Sequence, residues 1–349
     1  MAKRQAVEAL DRTMEDITGI KQPFGGEIMV LGGDFRQVLP VIKKGTCGQI
    51  VDSSLRMSPL WSMSKKMRLT VNMRALTDPW FLDFLLRIGD GEEEAIDEFF
   101  ICIPGDMTIP YTNPDQAKKD LINEIFPSME LNGFSSDYII SRAILSTKNE
   151  NVDEIYDELI DKFPGDEQVD YSFDEAEDDT YNHYPIEFLN SRNVSGLPPH
   201  CLRLKVGCPV ILLRNIDPSN GLCNGTRLIC KSFQRNVIDA EIAVGEHVGK
   251  RVFLPRIPLC PSENDMFPFK LKRKQFPIRL SFAMTINKAQ GQTIPNVGIY
   301  LPESVFSHGQ LYVALSRGIS REKTKVLVRP VKDFNRSGVY TANVVYREV

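Results

Sequence analysis

The chain changes texture twice along its length, and this limits what it can fold into. Up to about residue 185, strand-like runs alternate with helical ones. Val7, Leu10, Met14 and Ile17 recur at spacings of three and four, which predicts a helix over residues 2–17. Residues 27–31 and 67–71 read as short strands. Asp78-Pro79 opens a helix running to about Ile88, with Asp as N-cap and Pro at the first helical position. Residues 143–147 followed by 149–163 read as a strand–helix unit. From about Pro185 to Lys274, short β-rich segments are broken by Asp217-Pro218-Ser219-Asn220-Gly221, Asn224-Gly225, Arg235-Asn236, Val244-Gly245 and Val248-Gly249. The α/β texture then returns, with strands at 296–301 and 324–329 and a helix at 308–315. The pattern predicts an α/β fold carrying an inserted antiparallel β-module, a small barrel or meander.

Charge is unevenly distributed. The 349 residues carry 42 Lys and Arg against 46 Asp and Glu, a net of −4. Residues 201–349 hold 23 basic and 10 acidic side chains, a net of +13, which leaves −17 on residues 1–200. A basic C-terminal part on an acidic chain points to a localised polyanion-binding surface, although chance segregation of solvated charge gives the same counts. Residues 151–180 carry 13 acidic side chains and one lysine. Their first half keeps helical spacing (Val152, Ile155, Tyr156, Leu159, Ile160). Residues 165–180 have little to bury and are expected to form an exposed, partly disordered loop.

No apolar run approaches the ~18 residues of a membrane-spanning helix, and the charged N-terminal stretch lacks the apolar core of a secretory signal. Seven cysteines stand at 47, 102, 201, 208, 223, 230 and 260 with no Cys-x-x-Cys pair, which predicts reduced thiols. Within the series Cys201, Cys208, Cys223, Cys230, beside His200, the paired positions are spaced more widely than common zinc ligands. Buried structural thiols are the expectation there.

Three segments combine a strand or helix end with polar groups. Gly32-Gly33-Asp34-Phe35-Arg36-Gln37 follows a predicted strand, where ligand loops sit in α/β sheets, but it is equally readable as a plain turn. Residues 285–293 (Thr-Ile-Asn-Lys-Ala-Gln-Gly-Gln-Thr) are polar between apolar neighbours. Their amides and Lys288 suit phosphate or base contacts, or a polar helix end closed by Gly291. In the third, Leu311 to Gly318, Arg317 ends an apolar helix; such an arginine suits a helix dipole, or a developing phosphate charge.

Together these segments resemble a known family. GGDFRQVLPV (32–41), LTVNMR (69–74), MTINKAQGQT (284–293) and YVALSR (312–317) are similar to motifs of the Pif-type DNA helicases of superfamily one B. Residues 197–229 and 267–285 resemble its Helitron-transposon-like branch. The resemblance implies an ATP-dependent 5′–3′ DNA helicase with two RecA-like (P-loop NTPase-type) lobes and a small antiparallel β-barrel inserted in the second. On that pattern residues 1–66 close the first lobe, 67–185 and 276–349 make the second, and 186–275 are the inserted module. ATP and Mg2+ would be the cofactors, and single-stranded and forked DNA the partners. The nucleus would be the location, and DNA repair, recombination and telomere maintenance the processes. By motif, Gln37 would sense the γ-phosphate or attacking water, and Arg74 and Arg317 would be arginine fingers. Asp34 and Gly291 would border the nucleotide. Thr285, Asn287, Lys288, Gln290 and Thr293 would lie along the DNA. The basic run 270–274 would track phosphates or simply form a solvated edge. Phe35, Phe276, Phe282 and Tyr312 offer rings for base stacking, Phe282 being expected in the core.

The chain departs from the family at one important point. No Gly-x-x-x-x-Gly-Lys-Ser/Thr loop occurs, Gly245…Gly249-Lys250 being one residue short and followed by Arg251. The Asp-Glu metal pair, expected just upstream of the first helix, is also missing. That helix begins without a capping residue, as though cut, so an N-terminally truncated core with an incomplete first lobe and little ATPase of its own is the expectation. A non-enzymatic single-stranded DNA-binding remnant is the alternative, and a purely structural module a third. Ala289 stands where the family often has serine.

Overall fold

A computed structural model describes residues 1–42, 44–97, 99–177, 183–194, 196–261, 269–330, 334 and 336–348. They form two compact units. The first comprises Met1–Tyr111, Ala289–Thr293 and Leu301–Val349, the second Thr112–Lys288 and Ile294–Tyr300.

In the first unit the predicted N-terminal helix is present as α1 (Arg4–Thr18). No side chain caps its start, and it stops at Gly19, whose left-handed backbone lets its N–H reach Glu15 O. Its apolar stripe buries no residue. The Asp78-Pro79 signal works as predicted: α2 (Pro79–Asp90) starts where the Asp78 carboxylate accepts from Phe81 N. Phe81, Phe84, Leu85 and Ile88 form its buried face. β1 (Phe100–Ile103) follows. The strands predicted at 27–31 and 67–71 are absent. Neither segment joins a ladder, and Ile28, Val30, Met67, Leu69 and Val71 are exposed. Strand propensity produces a strand only where a neighbouring backbone completes the ladder, and no described strand pairs with either segment.

In the second unit, β2 (Arg142–Ser146) and α4 (Asn149–Lys162) realise the strand–helix unit close to the predicted bounds, preceded by α3 (Pro114–Ile125), which sequence reading did not foresee. The acidic stretch after α4 is not the expected loop. It forms β3 (Glu167–Tyr171) and β4 (Phe173–Ala176); residues 178–180 lie outside the described residues. Next come β5 (Cys201–Lys205), β6 (Pro209–Leu212), β7 (Arg227–Gln234), β8 (Val237–Ile242), β9 (Arg251–Pro255), β10 (Ile257–Leu259), β11 (Leu271–Gln275), β12 (Ile278–Leu280) and β13 (Ala283–Thr285). Five of them make an antiparallel sheet in the order β9-β8-β7-β6-β12. Among the described residues it is a ladder with β9 and β12 as its ends. β10-β11-β4 make a second antiparallel sheet and β3-β5 a ribbon. β14 (Asn296–Leu301) and β13 flank β2 in parallel, Gly298 and Ala283 both opposing Ile144.

The acidic strands exist because the basic ones do. Asp174 lies in register with Arg273, and the pair is almost wholly buried, with Arg273 Nη2 2.6 Å from the carboxylate. Asp170 accepts from Arg256 at 2.6 Å, and Glu175 and Glu177 hold Lys272 at 3.1 and 2.9 Å. Sequence reading took this run as a solvated loop because it lacks apolar residues; buried ion pairs replace the apolar contacts.

The first unit closes with α5 (Gln310–Leu315), β15 (Thr324–Val328) and β16 (Val339–Ala342), β16 running antiparallel to β1. α5 starts two residues later than expected because Gly309 adopts a left-handed φ of +68°. Cys208 and Cys230 are buried, but Cys201 is exposed rather than structural. Among the described residues no helix is long and apolar enough to cross a membrane, and no group of three or more His, Cys, Asp or Glu is placed to hold a metal.

Candidate functional site

Four separate stretches of the first unit bring their polar groups together. The Asp34 turn supplies Gln37: Gln37 N bonds Asp34 O at 3.1 Å, and the Asp34 carboxylate accepts from Arg36 N and from Gln37 Nε2 at 3.2 Å. Tyr312 OH on α5 donates to the same carboxylate at 3.2 Å. Close packing fixes the turn, since any Cβ on Gly309 would meet Arg36 O and come within 2.8 Å of Gln37 C. Arg36 leaves the cluster to form a two-pronged pair with Asp90 at the end of α2.

Asn72 folds the second stretch. Its side-chain oxygen accepts from Arg74 N at 2.8 Å and Ala75 N at 3.3 Å, an Asx turn that aims the arginine. Arg74 Nε then donates to Thr293 Oγ1 and Nη1 to Ser316 O, both at 2.8 Å. The third stretch, 289–293, turns at Gly291 (φ +84°). Gln290 Nε2 donates to Gln37 Oε1 at 2.8 Å. Arg317 supplies the fourth: its side chain bonds Val313 O, Ala289 O, Gln292 O and Ser316 Oγ at 2.9, 3.4, 3.0 and 2.9 Å.

Gln37, Arg74 and Arg317 therefore share one neighbourhood, together with Asp34, Gln290, Gly291 and Thr293. The electrostatics are unusual. Both arginines bond to Ser316, and neither has a carboxylate partner among the described residues. Burial, and next the charge of Arg74, push the Arg317 pKa down to about 10. Burial also lowers that of Arg74. Tyr312 is pushed up to about 12, by burial first and then by Asp34. A guanidinium has five N–H donors, and Arg74 commits only two of them. Arg74 therefore keeps donors that suit an anion of tetrahedral oxygens, whereas Arg317 is 2% exposed and already donates to Val313 O, Ala289 O, Gln292 O and Ser316 Oγ, so it needs a rearrangement to meet one. Among carboxylates the neighbourhood offers Asp34, already engaged by Tyr312 and Gln37, so the donor set does not amount to a Mg2+ cage.

Thr285, Asn287 and Lys288 belong to the second unit. Thr285 ends β13 opposite Ser146, and Asn287 is exposed on a single 3-10 turn, Ile286–Ala289. Lys288 is half-buried, and burial, then Arg279, lower its pKa while Asp153 opposes them. Of the stacking candidates, Phe276 and Phe282 are fully buried, which removes Phe276 and bears out the core reading of Phe282. Phe35 lies edge-on to Trp61. In the basic run, Lys272 and Arg273 are taken up by internal acids, so it is not a free phosphate track. Sequence reading did not foresee Ser316 or Asn72, which position the arginines; the Asn72-x-Arg74 spacing was the available signal for the latter.

Residues 1–98 match a family model for the PIF1-like helicase, and residues 187–233 match one for the 2B domain of DNA helicase Pif1. The chain is thus similar to PIF1-like helicases over these two stretches. It is 27% identical to the ATP-dependent DNA helicase PIF1 of Danio rerio over 94% of its own length and 45% of that protein's. To the human ATP-dependent DNA helicase PIF1 it is 36% identical over 36% of the chain and 19% of the relative. The chain thus spans less than half the length of these curated relatives. Its fold is that of the Pif1 helicase from Candida albicans (TM-score 0.60, 23% identity, 94% of this chain and 70% of that one). A Bacteroides Pif1 structure bound to ssDNA matches similarly (TM-score 0.61, 21% identity, 93% and 68%).

Proposed function

We propose that the chain is the arginine-finger and DNA-coupling part of an ATP-dependent 5′–3′ DNA helicase of the Pif type, in its Helitron-like branch. The observation that carries this is the convergence of Arg74 and Arg317, both bonded to Ser316 and neither bonded to a carboxylate among the described residues, beside Gln37. On this reading the arginines neutralise charge developing on the γ-phosphate, Gln37 orients the attacking water, and Asp34 and Tyr312 hold Gln37. Gln290 bonds Gln37 directly, so a strand contacting residues 285–293 is linked to the nucleotide through one amide pair. When bound, ATP with its Mg2+ supplies the driving reaction; residues outside this set have to hold the metal. DNA as substrate implies the nucleus, and repair, recombination and telomere maintenance are the fitting processes.

The 349 residues contain no Gly-x-x-x-x-Gly-Lys-Ser/Thr loop, so this polypeptide alone is proposed to hydrolyse no ATP. That observation favours a second reading, a non-enzymatic single-stranded DNA-binding protein. The test is to join the chain to a lobe bearing that loop and an Asp-Glu segment, then assay DNA-stimulated ATPase. The helicase reading expects turnover that falls by about 10³–10⁵ in Arg317→Ala. Turnover unaffected by Arg317→Ala and Arg74→Ala removes the assignment, and salt-sensitive DNA binding without turnover in the joined protein selects the second reading.

A further inference from the structure

The strand segment from Asp170 to Glu175 is built inside out. Asp170, Ser172 and Asp174 point inward and are buried, while Tyr171, Phe173 and Glu175 point outward and are exposed. The buried set is fully provided for. Asp170 pairs with Arg256, Ser172 Oγ donates to Asp174 at 2.7 Å with His200 Nδ1 also 2.7 Å away, and Asp174 takes Arg273. The exposed set is not. Phe173 keeps 69% of its surface and Tyr171 59%, with only the His200 ring 5.5 Å from the Tyr171 ring. Two large rings, the last residue of β3 and the first of β4, both face water, and adjacent exposed rings are candidates for a binding surface.

The surroundings of the rings favour one kind of occupant. Phe173 of β4 lies directly opposite Lys274 of β11, which in turn opposes Pro258 of β10. Phe173, Asp174, Glu175, Pro258, Lys272 and Lys274 line a concavity of about 310 Å³, Asp174 being taken up by Arg273. Glu175 and Glu177 occupy Lys272, but Lys274 is exposed and makes no ion pair among the described residues. An ammonium opposite the exposed Phe173 ring, with exposed Tyr171 two residues earlier in the chain, matches a phosphate flanked by unstacked bases, the combination that sequence-tolerant single-strand binders use.

We propose that Tyr171, Phe173 and Lys274 form a second single-stranded nucleic-acid contact, separate from residues 285–293, in which the rings stack bases and Lys274 meets the backbone. This rests on the helicase reading above and adds a subsite to it.

The test is fluorescence anisotropy of the full chain with labelled oligothymidine across a salt series. Tyr171→Ala and Phe173→Ala are each expected to weaken binding by about 5- to 150-fold. Lys274→Ala is expected to flatten the log–log salt slope by about 0.7. Phe173→Trp is expected to retain affinity and show indole quenching on binding, which a merely structural ring would not. These side chains are exposed, so the variants are expected to fold. Unchanged affinity and slope overturn the proposal, as does wild-type chain that binds no oligothymidine at low salt. Loss of self-association in Phe173→Ala with DNA affinity unchanged overturns it in favour of a protein interface. If Gln290→Ala weakens binding while the ring variants do not, the helicase reading stands and this subsite falls.

Discussion

Asp174→Ala strands a guanidinium in the interior of the second unit. The Arg273 side chain is 1% exposed and that of Asp174 wholly buried. Arg273 donates to Asp174 three times, at 2.9, 3.1 and 2.6 Å, and otherwise only to Pro198 O and Leu189 O at 3.0 and 3.4 Å. Removing one partner of a buried pair typically costs about 3–5 kcal/mol, because the remaining charge is uncompensated. The two carbonyls retain part of the solvation here, so a loss near 3 kcal/mol is expected. Glu175→Ala removes a solvent-exposed pair from the same strand and should cost under about 1 kcal/mol. Native-state hydrogen exchange of the β11 amides reads both, because it reports local opening without requiring the whole chain to unfold as one unit. The double replacement Asp174→Leu with Arg273→Met should recover most of the loss, since apolar groups of similar volume replace such pairs at little cost. A loss below about 1 kcal/mol in Asp174→Ala, indistinguishable from Glu175→Ala, would refute the idea that this pair fixes the acidic strand on the basic one.

Two further outcomes concern the first unit. Gly309→Ala places a Cβ against Arg36 O in a left-handed residue, a conformation costing about 1–2 kcal/mol for non-glycine residues before any collision; a fall in melting temperature is expected, together with reduced turnover in the joined protein as Gln37 shifts, and unchanged values would show that the turn is not held there. Burial lowers the His308 pKa below its ordinary value near 6.5, against weaker opposition from its bond to Phe35 O and from Asp34 and Glu348. The ring is neutral, Nε2 donating to Phe35 O and Nδ1 accepting from Tyr346 N, each within 2.8 Å. Its contribution is therefore complete above pH 6.5 and lost as pH falls from there through the lower folded pKa. Thermal melts between pH 7.5 and 5.5 should show this decline and His308→Gln should reduce it, only in part because burial lowers His200 as well.

Where local chemistry decides the structure, the sequence was readable. Asp78-Pro79 supplies its own cap, and the apolar run at 296–301 became β14 with those bounds. The two missing strands fail for the opposite reason: residues 27–31 and 67–71 have strand composition, but a ladder is a property of two segments. The acidic strands were missed because a count of apolar residues cannot see an arginine about a hundred positions away, and Asp174 needs Arg273 to be buried at all. The candidate site divides in the same way. Gln37, Arg74 and Arg317 stand in recognisable motifs. Their mutual placement depends on bonds spanning more than 200 residues, Arg74 to Thr293 and Ser316 and Asp34 to Tyr312, which no single motif contains.

The charge asymmetry of the sequence takes on a different meaning once the partners are known. Residues 201–349 carry a net +13, but much of that charge is internal. Arg203 faces Asp157, Asp161 and Glu167, Arg256 faces Asp170, Arg273 faces Asp174, Arg279 faces Asp153 and Lys272 faces two glutamates. These pairs hold the acidic and basic segments of the second unit together and offer little to an outside anion, because a cation already bonded to a carboxylate has lost most of its field. Among the basic groups that form no ion pair among the described residues, Arg74, Arg317 and Lys274 stand beside other polar or aromatic groups. Arg74 and Arg317 converge with no carboxylate bonded to either among the described residues, and Lys274 stands opposite the exposed Phe173. The anion recognition proposed for this chain therefore depends on which basic groups lack internal partners, not on how many basic residues it has.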